Sequence, residues 1–231
     1  MLTPMSLSAL FDALGDHRDL VGRVAEAARE RTANEDPAHD WLHVERVADS
    51  VRIIAAAAGA DLVVTATAAL LHELVSLPKT HPEAHRSAEQ CAAVASHLLG
   101  RLEAPEELAS KVATCIEEHP FSRGLAPSTP ESAVLQDADR LDAIGAIGIA
   151  RCLATSGLLA RPFYSEQDPF CRAREPDDHR WAIDHFYRKL LRIPEGLHTA
   201  AARRLAEPRI AAMQSWLSAL ESDLGGTVAE G

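Results

Sequence analysis

The feature that most constrains this chain is the period of its apolar residues. Val44, Val47, Val51 and Ile54 recur at steps of three and four, which puts them on one face of a helix. No apolar–polar alternation persists long enough for a strand, and Ala, Leu, Arg and Glu dominate throughout. The chain is therefore expected to be all-α. Gly59-Ala60-Asp61 breaks the first clear helix, and Asp61 caps a second that runs to about Val75. Ser87 caps a helix through Leu99, Gly100 ends it, and Pro105 opens another to about Glu118. Pro120 to Pro130 is a loop by its Pro, Gly and Ser content, followed by a helix over roughly Ala133 to Ala154. Residues 157–177, with Pro162, Pro169 and Pro176, read as a long loop or lid. Two last helices follow over Asp178–Leu191 and His198–Leu220, and residues 224–231 read as a frayed tail. No repeat and no linker-like composition divides the chain, so residues 1–231 are expected to form one domain.

Composition narrows the function. With 231 residues and 47% hydrophobic content, the chain can bury a real core, which excludes disorder for most of it. The apolar run Leu62 to Leu71 is too short for a bilayer span and is interrupted by Thr65 and Thr67. Met1 to Leu20 carries no signal-peptide pattern, so a cytoplasmic protein without a membrane partner is expected. A formal charge of −11 argues against binding a nucleic-acid polymer. A small anionic substrate would need local cations or a metal to hold it. Cys91, Cys115, Cys152 and Cys171 form no C-x-x-C pair and read as buried, reduced thiols.

Histidine is the informative residue type, with 11 in the chain. Four segments concentrate metal-ligating side chains: HDWLHVERV (39–47), LLHELV (70–75), EEHPFS (117–122) and QDADRLDA (136–143). Singly, each has a bland reading. His43 beside an apolar stripe is commonly a core histidine, and Asp137, Asp139 and Asp142 would normally line a solvated helix face. Together the odds change, because His72 and Glu73 end an apolar helix where charge is rarely buried without a partner. Two imidazoles and two carboxylates from three helices would make a mixed nitrogen–oxygen site. Such a site suits Mn²⁺, Mg²⁺, Fe²⁺ or Co²⁺ better than a sulfur-rich structural zinc site does.

These segments resemble the H…HD…D signature of the HD-domain metal-dependent phosphohydrolases, nearest the bacterial subgroup similar to nucleotide pyrophosphohydrolases. The likeness runs from about residue 36 to 212 and includes AALLHELVSLPKTHPE, LQDADRLDAIGAIGIAR and DHFYRKLLRIPEGLHT. It implies a single HD-type helical domain. It also implies one divalent ion, Mn²⁺ or Mg²⁺ first, with Fe²⁺, Co²⁺ and Ni²⁺ compatible. The family's first histidine falls on His43 and its histidine–aspartate pair on His72 and Glu73. The distal aspartate falls on Asp139, with Asp137 as the competing position. Glu73 departs from the pattern, adding a methylene where the family carries aspartate. Catalysis and metal binding are both expected of His43, His72, Glu73 and Asp139.

Lys79, His119 and Lys189 are the implied phosphate-binding residues, weighed against plain surface lysines and, for His119, a cation at a helix C-terminus. His39 suits a capping or supporting role. Arg46, Arg86, Arg123 and Arg140 read as ion-pair partners, and Phe163 and Tyr164 as loop anchors or base-stacking groups. The expected activity is hydrolysis of a small phosphorylated, nucleotide-like substrate by a metal-activated water. The alternative is a catalytically degenerate HD-type module that binds a nucleotide or a partner. An iron oxygenase of the same superfold would need a further histidine such as His119. Homo-oligomerisation is left open by the sequence.

Overall fold

The computed structural model describes residues 7–32, 40–75, 77 and 81–225. Those residues hold ten α-helices and no strand, as the periodicity predicts. Two compact units are distinguishable: Met1–Arg140 with His198–Ala202, and Leu141–Leu197 with Arg203–Gly231. Among the described residues, no single helix is long and apolar enough to cross a membrane.

The first unit contains α1 (Ser8–Ala13), α2 (Arg18–Thr32), α3 (Trp41–Ala58), α4 (Leu62–Leu71), α5 (Ser87–Arg101), α6 (Glu106–Glu118) and most of α7 (Pro130–Asp142). Its centre is α4, which packs against α2, α3 and α6. Every residue from Val64 to Leu71 is buried, as an all-round apolar helix requires. Burying Leu70 and Leu71 stabilises the fold by about 1.5–3 kcal/mol each. The Asp61 carboxylate caps α4 by accepting from the Val63 and Val64 amides, as the sequence predicts.

α4 stops at Leu71, four residues short of the expected Val75. The carbonyls that a further turn would bond are taken from the side instead. His72 donates from Nδ1 to the Ala69 carbonyl (2.7 Å), and the Cys91 thiol lies 3.2 Å from the carbonyls of both Leu71 and His72. His72 and Glu73 consequently sit in a turn at the helix end rather than inside the helix.

The single helix expected over Ala133–Ala154 is two, α7 and α8 (Gly145–Leu158). Gly145 adopts a left-handed φ of 80°, which ends the first helix and restarts the second. Gly148 then lets the Ala143 carbonyl approach closely, since a Cβ there would lie 2.2 Å from that oxygen. Gly148→Ala is expected to cost about 1–3 kcal/mol, seen as a lower denaturant midpoint at unchanged slope. An unshifted midpoint would mean that the Ala143 carbonyl yields without penalty.

The second unit holds α8, α9 (Asp184–Arg188), a 3₁₀ segment over Leu190–Gly196 and α10 (Ala200–Asp223) from Arg203 onward. The helix expected over Asp178–Leu191 shrinks to α9 because the preceding amides are used elsewhere. Ala182 and Ile183 donate to the carbonyls of Pro162 and Phe163 (2.9 and 2.8 Å) instead of to their own helix. The irregular stretch before α9 is bonded internally. Buried Asp184 accepts from the Arg174 guanidinium (2.7 Å) and from the Asp177 amide (2.6 Å). Trp181 lies under two guanidinium groups, those of Arg174 and Arg180, at 4.4 and 4.3 Å. Phe186 stacks on Trp216 at 5.3 Å. All four cysteines are free, but Cys171 is only half-buried, a partial correction to the buried thiols expected.

Candidate functional site

The site is assembled where three helix ends meet one helix face in the first unit. Asp40 caps α3 by accepting from the His43 amide (2.9 Å), which seats His43 in the first turn with its ring fully buried. His72 is the C-cap of α4 and His119 the C-cap of α6. Each turns its Nδ1 onto the carbonyl three residues back, Ala69 for His72 and Ile116 for His119 (2.6 Å). A carbonyl only accepts, so Nδ1 carries the proton in both rings and each Nε2 keeps its lone pair. The two rings meet edge to face at 89°, with centroids 5.2 Å apart.

The donor atoms converge. His43 Nε2 lies 3.2 Å from His72 Nε2, and Glu73 Oε1 lies 3.9 Å from each of those nitrogens. The ligand atoms of His43, His72 and Glu73 all fall within 4.8 Å of one another. Asp139 Oδ1, from α7, stands 3.5 Å from His43 Nε2. Two nitrogens sharing a small ion at about 2.0–2.1 Å stand roughly 3.0–3.4 Å apart, so the imidazole pair fits a divalent cation. The nitrogen end is closed, with both imidazoles at 0% exposure, while Glu73 and Asp139 are 13% and 25% exposed. Solvent therefore reaches the cluster from its carboxylate side.

Electrostatics keep the His72 and His119 rings neutral. Burial, with smaller contributions from His119 and His43, pushes the pKa of His72 down to about 3. Burial also lowers His119, against the opposing pull of Asp139. His119 is therefore a neutral imidazole, not the cation at a helix terminus that its position suggested. In the metal-free protein the unfolded chain takes up a proton at His72 near pH 6.5, whereas the folded chain does so only near 3. Stability must therefore fall as pH drops below about 6.5, by up to about 1.4 kcal/mol per pH unit for each such histidine. The melting temperature of chelator-treated protein is expected to decline between pH 7 and 5, with a shallower decline in His72→Gln. Equal slopes for the two proteins would show that His72 takes up its proton as readily in the folded chain as in the unfolded one.

The acidic run on α7 does not form one solvated face. Asp137 is fully buried and accepts from the His198 and Thr199 amides and the Thr199 hydroxyl, all at 2.8 Å. Asp142 is buried against Arg151 (2.7 Å) in the second unit. Asp139 alone of the three faces His43. Arg86 and Arg123 pair with glutamates, as expected for surface arginines, whereas Arg140 bonds Gln136 and His198 and lies 5.5 Å from the Phe121 ring. Lys189 ends α9 in the second unit. Lys79, His39 and the tail from residue 226 lie outside the described residues.

The HD domain family matches residues 41–144, a span that begins at α3 and includes all four converging side chains. The uncharacterized protein YpgQ of Bacillus subtilis is 35% identical over 201 residues, covering 85% of this chain and 90% of that protein. The chain belongs to the HD-domain phosphohydrolase superfamily. The crystal structure of B. subtilis YpgQ in complex with ADP is similar to this HD protein with a TM-score of 0.69 at 34% identity, covering 89% of this chain and 98% of the other. An HD-superfamily hydrolase from Bacillus thuringiensis gives 0.72 at 26% identity, over 91% and 99% of the two chains.

Sequence reasoning missed the HD domain's supporting residues. Asp40 could have been found, because an aspartate before a periodic apolar run is a capping signal. Cys91 and Thr199 carry no such signal, as their partners lie 19 and 62 residues away in the chain.

Proposed function

We propose that this protein is a metal-dependent phosphohydrolase acting on a small, nucleotide-like phosphorylated substrate, with the ion held by His43, His72, Glu73 and Asp139. The observation that carries the reading is the pair of buried imidazole nitrogens 3.2 Å apart, with a carboxylate oxygen 3.9 Å from both. A divalent ion there supplies a water of lowered pKa and a Lewis-acid contact for a phosphoryl oxygen. As ligands, the Nε2 atoms of His43 and His72 contribute lone pairs, and the carboxylates of Glu73 and Asp139 neutralise the cation. Asp139, the most exposed of the four, accepts the proton from the attacking water. Lys79 and Lys189 offset phosphate charge in a protein whose net charge is −11. His119, neutral with its proton on Nδ1, presents Nε2 as an acceptor and meets a phosphate oxygen through a bridging water that donates to both. The ADP bound by the YpgQ relative supports a nucleotide as substrate.

Glu73 favours one rival, a nucleotide-binding module without turnover, because its longer side chain displaces the carboxylate from the family's position. Elemental analysis, followed by a screen of nucleoside mono-, di- and triphosphates with Mn²⁺ or Mg²⁺, separates the two. Bound metal with release of phosphate or pyrophosphate is expected. Nucleotide binding without release would establish the rival, and two irons per chain with oxygen uptake would establish an oxygenase.

A further inference from the structure

Asp137 is a fully buried carboxylate of α7 that accepts three hydrogen bonds, and it lies two residues before Asp139. Its Oδ1 accepts from the His198 amide, and its Oδ2 accepts from both the amide and the hydroxyl of Thr199. Thr199 is itself tied to the start of α10, where its Oγ1 accepts from the Ala202 amide (3.1 Å). The neighbouring Gln136 is fully buried and donates to the Glu118 and Leu125 carbonyls (2.8 and 3.2 Å). One side of α7 is thus bolted to three separate backbone segments.

Successive helix residues advance by about 100°, so Asp137 and Asp139 point to nearly opposite faces. Fixing the azimuth of one fixes the azimuth of the other. A side chain reaching about 5–6 Å from the helix axis moves by about 1 Å when the helix turns by roughly 10°. A displacement of that size is enough to detach a ligand from a tightly held site.

We propose that Asp137 and Thr199 are positioning residues whose clamp sets the rotation of α7 and so holds Asp139 at the metal centre. The inference rests on the reading of His43, His72, Glu73 and Asp139 as ion ligands. In Asp137→Asn an amide NH₂ replaces an acceptor oxygen and faces an N–H donor. In Thr199→Val the hydroxyl alone is lost at nearly constant shape. Thr199→Ser restores the hydroxyl.

Co²⁺ affinity and the visible absorption of the bound ion, measured on the full chain, test the clamp. The parent is expected to bind Co²⁺, and Asp139→Ala to bind it more weakly. Asp137→Asn and Thr199→Val are expected to lose about tenfold or more in affinity with an altered spectrum, and Thr199→Ser to stay close to the parent. The deciding measurement is the double variant Thr199→Val with Asp139→Ala. If the clamp acts through Asp139, it binds no more weakly than Asp139→Ala alone. A further loss in that background would mean that the clamp supports the domain generally, and would overturn the proposal. So would parent-like affinity and spectrum in both clamp variants, or in Asp139→Ala. Should Asp137→Asn fail to fold, the Thr199 series decides by itself. A parent protein that binds no Co²⁺ would overturn the metal-centre reading, and this inference with it.

Discussion

His43→Ala is expected to abolish metal-dependent hydrolysis, lowering turnover by about a hundred- to a thousandfold. The reason is its place in the cluster. His43 Nε2 is the atom from which His72, Glu73 and Asp139 all lie between 3.2 and 3.9 Å, so removing it takes away the contact they share. A bound ion contributes several kcal/mol of charge stabilisation in the transition state, and each 1.36 kcal/mol is a factor of ten in rate. The backbone should hold, because the cap on α3 runs from the Asp40 carboxylate to the His43 amide and does not involve the ring. Metal content by elemental analysis should fall with turnover, while the far-ultraviolet circular dichroism stays at the parent level. Parent-level metal and turnover in His43→Ala would remove the cluster as the centre of the reaction.

The second large effect concerns Glu73. Glu73→Ala is expected to lose the ion and turnover by about a hundredfold, since one carboxylate of charge compensation disappears and its coordination position passes to water. The aspartate variant separates charge from reach. Oε1 of Glu73 already stands 3.9 Å from both imidazole nitrogens, farther than they stand from each other. Shortening the side chain by one carbon–carbon bond, about 1.5 Å, withdraws the oxygen further. The turn cannot easily follow, because the Cys91 thiol holds the His72 carbonyl and the Ser87 hydroxyl holds that of Val75 (3.0 Å). Glu73→Asp is therefore expected to bind Mn²⁺ about tenfold more weakly than the parent but better than Glu73→Ala. Stronger binding by the aspartate variant would show that the turn moves to the ion and that glutamate is the poorer ligand here. Parent-level metal and turnover in Glu73→Ala would make it a plain helix-end glutamate.

Much of this molecule was legible in the residue pattern, for a local reason. Helical period, caps and breakers act within a few residues, so the helices from α3 to Glu118, apart from the end of α4, and the Asp61 cap could be read without a fold, whereas α1 and α2 were not read. The same holds for His43 near a helix start and His72 near a helix end, since a recurring motif fixes residue types in order. The breaks at Gly145 and before α9 were not legible. Each depends on amides and carbonyls finding partners distant in the chain or across a tight approach, as with Gly148 against Ala143 and Ile183 on Phe163. The choice between Asp137 and Asp139 shows the division most clearly. The sequence places the two carboxylates on different helix faces but does not say what each face meets. Only the tertiary structure puts Thr199, 62 residues away, on one and His43, 96 residues away, on the other. Chain order sets which groups are available, whereas packing decides which of them are desolvated together, and it is shared burial that turns a carboxylate into a clamp or a ligand.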